Sequence, residues 1–219
     1  MGLELDFEDS LQNKSEWEGL AALGVPKSFR AGDVLYMQGD RDVGLIFLKK
    51  GRLKNCMYFS NGTEKITCVL EAPSVTGESS VIDKRETLTC AVALTDVEAQ
   101  VVPAEKALQY FLDHPNIMLT LLRLYAKKIR SVQMQADSIA LSVSQKLAHM
   151  LVNLDSYGWT TEGEGQTIRV THEQLAGFLG TTRPKITNAL NAFEKAKFIR
   201  KGRGSIEILD YDGLKAVFE

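Results

Sequence analysis

The stretch Thr171-His172-Glu173-Gln174-Leu175-Ala176-Gly177-Phe178-Leu179-Gly180-Thr181-Thr182-Arg183-Pro184-Lys185-Ile186-Thr187-Asn188-Ala189-Leu190 decides how this chain is read. Thr171 and Gln174 have the spacing of a capping box, in which a hydroxyl and an amide satisfy the unpaired N–H groups at a helix start. Leu175, Ala176, Phe178 and Leu179 follow at helical spacing. Gly180-Thr181-Thr182 breaks that helix, since glycine enters the left-handed region without a Cβ clash. Arg183-Pro184 restarts one, because proline has no N–H to lose in a first turn. Ile186, Ala189, Leu190 and Phe193 form its buried stripe. Phe198-Ile199 and Ile206-Glu207-Ile208 are strands around the basic run Arg200-Lys201-Gly202-Arg203-Gly204. Two helices across a short glycine turn, then a basic hairpin, make a winged helix-turn-helix.

Upstream, Ile168-Arg169-Val170 reads as a short strand and residues 158–165 as a loop. Ser142-Val143-Ser144-Gln145 is a second capping box, opening a helix through Lys146, Leu147, Met150, Leu151 and Leu154. Residues 142–219 therefore form one mixed domain. Residues 171–206 hold seven Lys/Arg against Glu173 and Glu194, a net +5. The whole chain has 26 Lys+Arg and 28 Asp+Glu, a net −2, so the remainder carries −7. Residues 1–16 alone hold Glu4, Asp6, Glu8, Asp9 and Glu16 against Lys14. A basic segment on an acidic body is a polyanion footprint, because salt screens charge beyond about 8–10 Å. A merely solvated basic surface would look the same by charge. Arg183 and Lys185 at the helix start, with Lys201 and Arg203 at the hairpin tip, favour DNA.

Residues 115–141 read as one long helix, with Pro115 suited to its first position. Met118, Leu122, Tyr125, Ile129, Val132, Ala136, Ile139 and Val143 recur in alternating steps of four and three, which is a heptad seam. Lys127, Arg130, Gln133 and Asp137 lie off it. Such a helix is about 40 Å long. An internal core helix is the competing reading. The charged flanks favour pairing of Met118, Leu122, Tyr125, Ile129, Val132, Ala136 and Ile139 with a second copy in a twofold dimer.

Residues 28–102 read as β structure. Short apolar runs (34–36, 45–48, 53–59, 66–70, 90–94 and 97–102) alternate with Gly32, Gly39, Gly44, Gly51, Asn61-Gly62 and Gly77. Asn-Gly between two such runs is a strong hairpin signal. Many short strands so punctuated predict a sandwich or barrel.

Length and composition, 219 residues with 44% apolar and 25% charged, describe a globular chain of two domains. No apolar run nears the roughly 20 residues that span a bilayer, and the acidic start predicts no secretory leader. Asp6 breaks the lipidation pattern. Cys56, Cys68 and Cys90 show no C-x-x-C pair, which predicts free thiols in a reducing cytoplasm. Ser79, Ser80, His114, His149 and His172 form no nucleophile–base pattern and no zinc spacing, so neither enzyme nor metal site is expected.

The order β-barrel, long helix, winged helix-turn-helix resembles the CRP/FNR family of bacterial transcription regulators. Phe29-Arg30-Ala31-Gly32-Asp33-Val34-Leu35-Tyr36-Met37-Gln38-Gly39 and Ile46-Phe47-Leu48-Lys49-Lys50-Gly51 resemble the opening of its cyclic-nucleotide-binding barrel. Gly77-Glu78 resembles the start of its phosphate-binding cassette, and residues 171–199 its helix-turn-helix. The resemblance covers roughly residues 25–210. It implies an α+β chain: a jelly-roll effector domain (1–114), a dimerisation helix (115–141) and a winged helix-turn-helix domain (142–219).

The resemblance also implies partners: double-stranded DNA with a near-palindromic site, a second copy, a small-molecule effector and RNA polymerase. The DNA-binding residues it implies are Thr171, His172, Thr182, Arg183, Pro184, Lys185, Thr187, Asn188, Lys201 and Arg203. Arg183 matches a guanine reader and Asn188 an adenine reader, while Thr171, His172, Thr182, Lys201 and Arg203 position the backbone. The implied effector site gathers Gly77, Glu78, Ser79, Thr87, Leu88, Tyr125, Lys128 and Val132. It departs from cyclic-AMP-binding members, whose Arg-Ser pair is replaced by Thr87-Leu88 and whose Thr-Ser pair by Val132-Gln133. An unidentified metabolite is therefore expected, with an atypical cyclic-AMP pocket as the alternative. Iron–sulfur members use an N-terminal cysteine cluster, and residues 1–55 hold no cysteine. A sensor module acting through a protein partner is the rival class, but it would not need Arg183 or a basic wing.

Overall fold

The computed structural model describes residues 14–60, 64–137, 140–154 and 167–219. The expected Asn61-Gly62 turn, the loop at 158–165, Ile139 and the acids before Lys14 lie outside the described residues. The chain divides into two compact units, with the main break inside the long helix after Ala126.

The first unit opens with a helix the sequence reading did not anticipate, α1 (Lys14–Ala22). Its Trp17, Leu20 and Ala21 are buried, one stripe of i, i+3, i+4 spacing. The barrel follows: β1 (Val25–Phe29), β2 (Val34–Tyr36), β3 (Leu45–Lys50), β4 (Arg52–Tyr58), β5 (Glu64–Glu71) and β6 (Ser74–Thr76). The short helix α2 (Glu78–Asp83) precedes β7 (Cys90–Ala93) and β8 (Val97–Val102). The strands form two four-stranded sheets, ordered β1-β8-β3-β6 and β2-β7-β4-β5, the double-sheet arrangement of a jelly roll. The pairs β1–β8, β3–β8, β3–β6, β2–β7 and β4–β7 are antiparallel. Leu45, Leu48, Leu53, Leu70, Val75 and Val97 fill the space between the sheets.

Two further helices complete this unit, α3 (Ala104–Asp113) and the first half of α4 (Pro115–Asp137). Pro115 is the first residue of α4, as its sequence predicts. One face of the helix is internal core and another is exposed. Ile117, Leu121 and Leu124 belong to the barrel core, while Leu122, Ile129 and Val132 are 57–61% exposed. Met118 and Tyr125, expected on the pairing seam, are half-buried against the core. The reason is geometric: at about 100° per residue they stand nearer than Leu122 to the core stripe of Ile117, Leu121 and Leu124.

The second unit holds α5 (Val143–Val152), β9 (Thr167–Arg169), α6 (His172–Leu179), α7 (Arg183–Lys195), β10 (Ile199–Gly202), β11 (Ser205–Ile208) and α8 (Tyr211–Lys215). Both expected capping boxes are present: Ser142 with Gln145 opens α5, and Thr171 with Gln174 opens α6. The strands form an antiparallel sheet ordered β10-β11-β9. Leu147, Leu151, Leu175, Phe178, Ile186, Leu190, Ile199, Ile206 and Leu214 supply its buried side chains.

Candidate nucleic-acid interface

The turn between α6 and α7 is made by Gly180 at φ +62°, whose N–H bonds the Ala176 carbonyl. Thr182 then sits at the N-cap of α7 with no side-chain cap bond. Burial of Ile186, Ala189, Leu190 and Phe193 turns the opposite face of α7 outward. Arg183, Pro184, Lys185 and Asn188 are exposed there, and Thr187 is half-buried. Thr171 and Arg203 are exposed as well.

His172 is half-buried, and its Nδ1 lies 2.9 Å from Oγ1 of Thr187, tying the start of α6 to the reading helix. Burial pushes the imidazole below its usual titration range, and the nearby Lys201 and Arg183 cations push the same way.

The wing differs from the expected one. The strands continue through Arg200↔Glu207, Lys201↔Ile206 and Gly202↔Ser205, leaving Arg203-Gly204 as the tip. Gly204 has φ +72°, which closes so short a turn. Lys201 is therefore in a strand and not at the tip. Its Nζ lies 2.9 Å from Glu194 Oε2 and donates to Asn191 Oδ1 at 2.5 Å. The Lys201 ammonium, and then the Lys201 backbone N–H, hold the Glu194 carboxyl below its ordinary range. Sequence reading missed Asn191 and Glu194, although both stand on α7 within a turn or two of Asn188.

The residues expected around an effector are distributed as follows. Gly77 takes φ +81° and caps α2, and an added Cβ would lie 2.4 Å from the Gly44 carbonyl oxygen. Glu78 is buried, while Ser79 is exposed. Thr87 is buried, but its hydroxyl donates to the Met37 carbonyl at 2.6 Å and its N–H to Asp40. Leu88 is 76% exposed. Tyr125 and Lys128 are half-buried on α4, and Val132 is exposed. Just before Gly77 the barrel interior holds a polar cluster absent from the expected set. The Tyr36 and Thr76 hydroxyls are 2.6 Å apart, and Asn55 Nδ2 donates to Thr76 Oγ1 at 3.2 Å.

Residues 26–114 match the model of the cyclic nucleotide-binding domain, and residues 145–217 that of the Crp-like helix-turn-helix domain. The chain is 27% identical over 194 residues to a CRP-like cAMP-activated global transcriptional regulator of Mycobacterium tuberculosis, covering 86% of each chain. It is 25% identical over 178 residues to the cyclic AMP receptor protein of Thermus thermophilus, covering 81% of this chain and 80% of that one. Its fold is similar to that of a CooA mutant from Carboxydothermus hydrogenoformans, with a TM-score of 0.80 at 17% identity over 96% of this chain and 94% of the other.

Proposed function

The chain belongs to the CRP/FNR family of transcription regulators, and from that premise we propose that it is a ligand-responsive regulator that binds a two-half-site DNA sequence as a homodimer. The observation that carries the DNA reading is the exposed, cationic start of α7, which follows the capped helix α6 across the Gly180 turn, together with the exposed Arg203 at the wing tip. A helix of this kind lies in the major groove with its first residues toward base edges. Arg183 offers a bidentate donor pair to guanine O6/N7. Arg203 at the wing tip, and Thr171 and Thr182 at helix starts, suit phosphate contacts that position without specifying. The exposed Leu122, Ile129 and Val132 supply the pairing face. Such a protein works in the cytoplasm, meets RNA polymerase at promoters and has no catalytic step of its own.

A small molecule in the barrel unit is the input. A cyclic phosphate needs a charge-assisted donor. Thr87 has its hydroxyl engaged by Met37, and Leu88 is aliphatic, so that position offers none. We therefore favour an effector other than cyclic AMP. The relatives named for cyclic AMP support the second reading, in which that nucleotide binds through a different donor.

Gel shifts on DNA selected from a random pool, repeated across salt, test the DNA reading. A specific complex with a steep salt slope is expected, and absence of any DNA binding would refute it. Melting with cyclic AMP and with a metabolite panel tests the input, because a ligand of the native state raises the melting temperature. A rise with cyclic AMP alone would reverse the preference.

A further inference from the structure

The direction of Asn191 carries an inference beyond the DNA reading, on which it rests. Residues of α7 turn by about 100° each. The buried stripe of Ile186, Ala189, Leu190 and Phe193 therefore faces away from Pro184, Asn188 and Asn191, which stand at i, i+4 and i+7 on one outward row. Pro184 has no polar side-chain atom. Asn188 and Asn191 are the amides of that row.

An asparagine amide ordinarily offers both an acceptor oxygen and a donor NH2, and together these pair with adenine N6 and N7. In Asn191 part of that capacity is already used. Its Oδ1 accepts from Lys201 Nζ at 2.5 Å. An ammonium group has donors only, so the atom facing it must be the oxygen; one of its two lone pairs is taken, and the NH2 group keeps both donors. Lys201 is itself fixed three ways. Its Nζ lies 2.9 Å from Glu194 Oε2, its backbone N–H donates to Glu194 Oε1 at 3.1 Å, and it pairs with Ile206 in the wing.

We propose that Asn191 is a specificity-determining residue whose NH2 donates to a base-edge acceptor, guanine N7/O6, adenine N7 or thymine O4, and that Lys201 is the positioning residue that holds the amide by its oxygen. Adenine and cytosine each present an amine in the major groove. Cytosine has only that amine to offer, which meets the NH2 of Asn191 donor to donor, so cytosine is disfavoured at this position, whereas adenine N7 can accept. The wing thereby sets what the reading helix selects.

Selection of DNA from a random pool by the full-length protein tests this, using wild type, N191A, K201M and K201R, each checked for an unchanged circular dichroism spectrum. Wild type is expected to enrich a site in which one position per half-site excludes cytosine, an exclusion that weakens about tenfold in N191A. K201M is expected to weaken the same exclusion, because the amide is no longer held, while K201R, which can donate to the same oxygen, keeps the wild-type choice. If N191A selects the wild-type site unchanged, or if the position it loses is cytosine, the proposal falls while the DNA reading stands. An unchanged K201M site removes Lys201 from the role. Failure of the wild type to enrich any sequence would overturn the DNA reading itself.

Discussion

His172 and Thr187 join the two helices of the reading head: Nδ1 of the imidazole and Oγ1 of the threonine are 2.9 Å apart, fifteen residues distant in sequence. The bond fixes the angle at which α7 leaves α6, so the protonation state of one side chain acts on the geometry of the DNA-facing helix.

That side chain makes stability depend on pH. Burial first, then Lys201 and Arg183, lower the His172 pKa from its ordinary 6.5. The unfolded chain therefore binds the proton more readily than the folded one, and stability rises with pH through this window. It is complete above about 6.5 and is lost as pH falls below it. The melting temperature should drop between pH 7 and 5.5, and His172→Gln should flatten that drop. An equal slope in the variant would show that the imidazole is not the titrating group.

Arg183 and Arg203 should separate specificity from general affinity. Arg183→Ala is expected to cost about 1–3 kcal/mol on the selected site and to relax preference at one base pair. Arg203→Ala should weaken selected and random DNA alike and reduce the salt slope by about 1. Titrations of both variants on both DNAs measure the difference.

Glu194 neutralises Lys201 on the edge of the interface. Glu194→Gln should therefore add effective positive charge there, raising affinity for random DNA and steepening the dependence of log K on log salt by up to about 1. Fluorescence anisotropy at several salt concentrations reads this directly. A shallower slope would count against it.

Two residues of α4, five positions apart, should fail differently. Ile129 is 57% exposed and Leu124 only 3%. Ile129→Glu should leave the fold intact but give a monomer in sedimentation, with affinity for the two-half-site DNA reduced at least about 100-fold as avidity is lost. Leu124→Ala should stay dimeric and lose about 2–5 kcal/mol of stability, the usual result of emptying a buried leucine site.

Glycines at positive φ should separate strain from clash. Gly180→Ala puts a Cβ into open space at φ +62°, so only backbone strain of about 1–2 kcal/mol is expected. Gly77→Ala adds to that strain a Cβ 2.4 Å from the Gly44 carbonyl oxygen, and should cost more. Urea unfolding of the two variants gives the ranking.

Local chemistry was legible in the chain itself. The capping boxes at Ser142 and Thr171, the break at Gly180 and the restart at Arg183-Pro184 each depend on residues within a turn or two of one another, so spacing alone determined them. The division of a net −2 into +5 over residues 171–206 and −7 elsewhere was equally plain, and with the turn at Gly180 it pointed to DNA. What only the tertiary structure decided is which of those groups already have a partner. Lys201 looks like a free wing cation until β10 turns it back on Glu194 and Asn191. Thr87 looks like a ligand hydroxyl until the Met37 carbonyl takes it. Met118 and Tyr125 look like seam residues, yet each packs partly against the barrel core. A side chain's charge and shape are written in the sequence. Its remaining hydrogen-bonding capacity depends on segments far apart in the chain, and only folding brings those together.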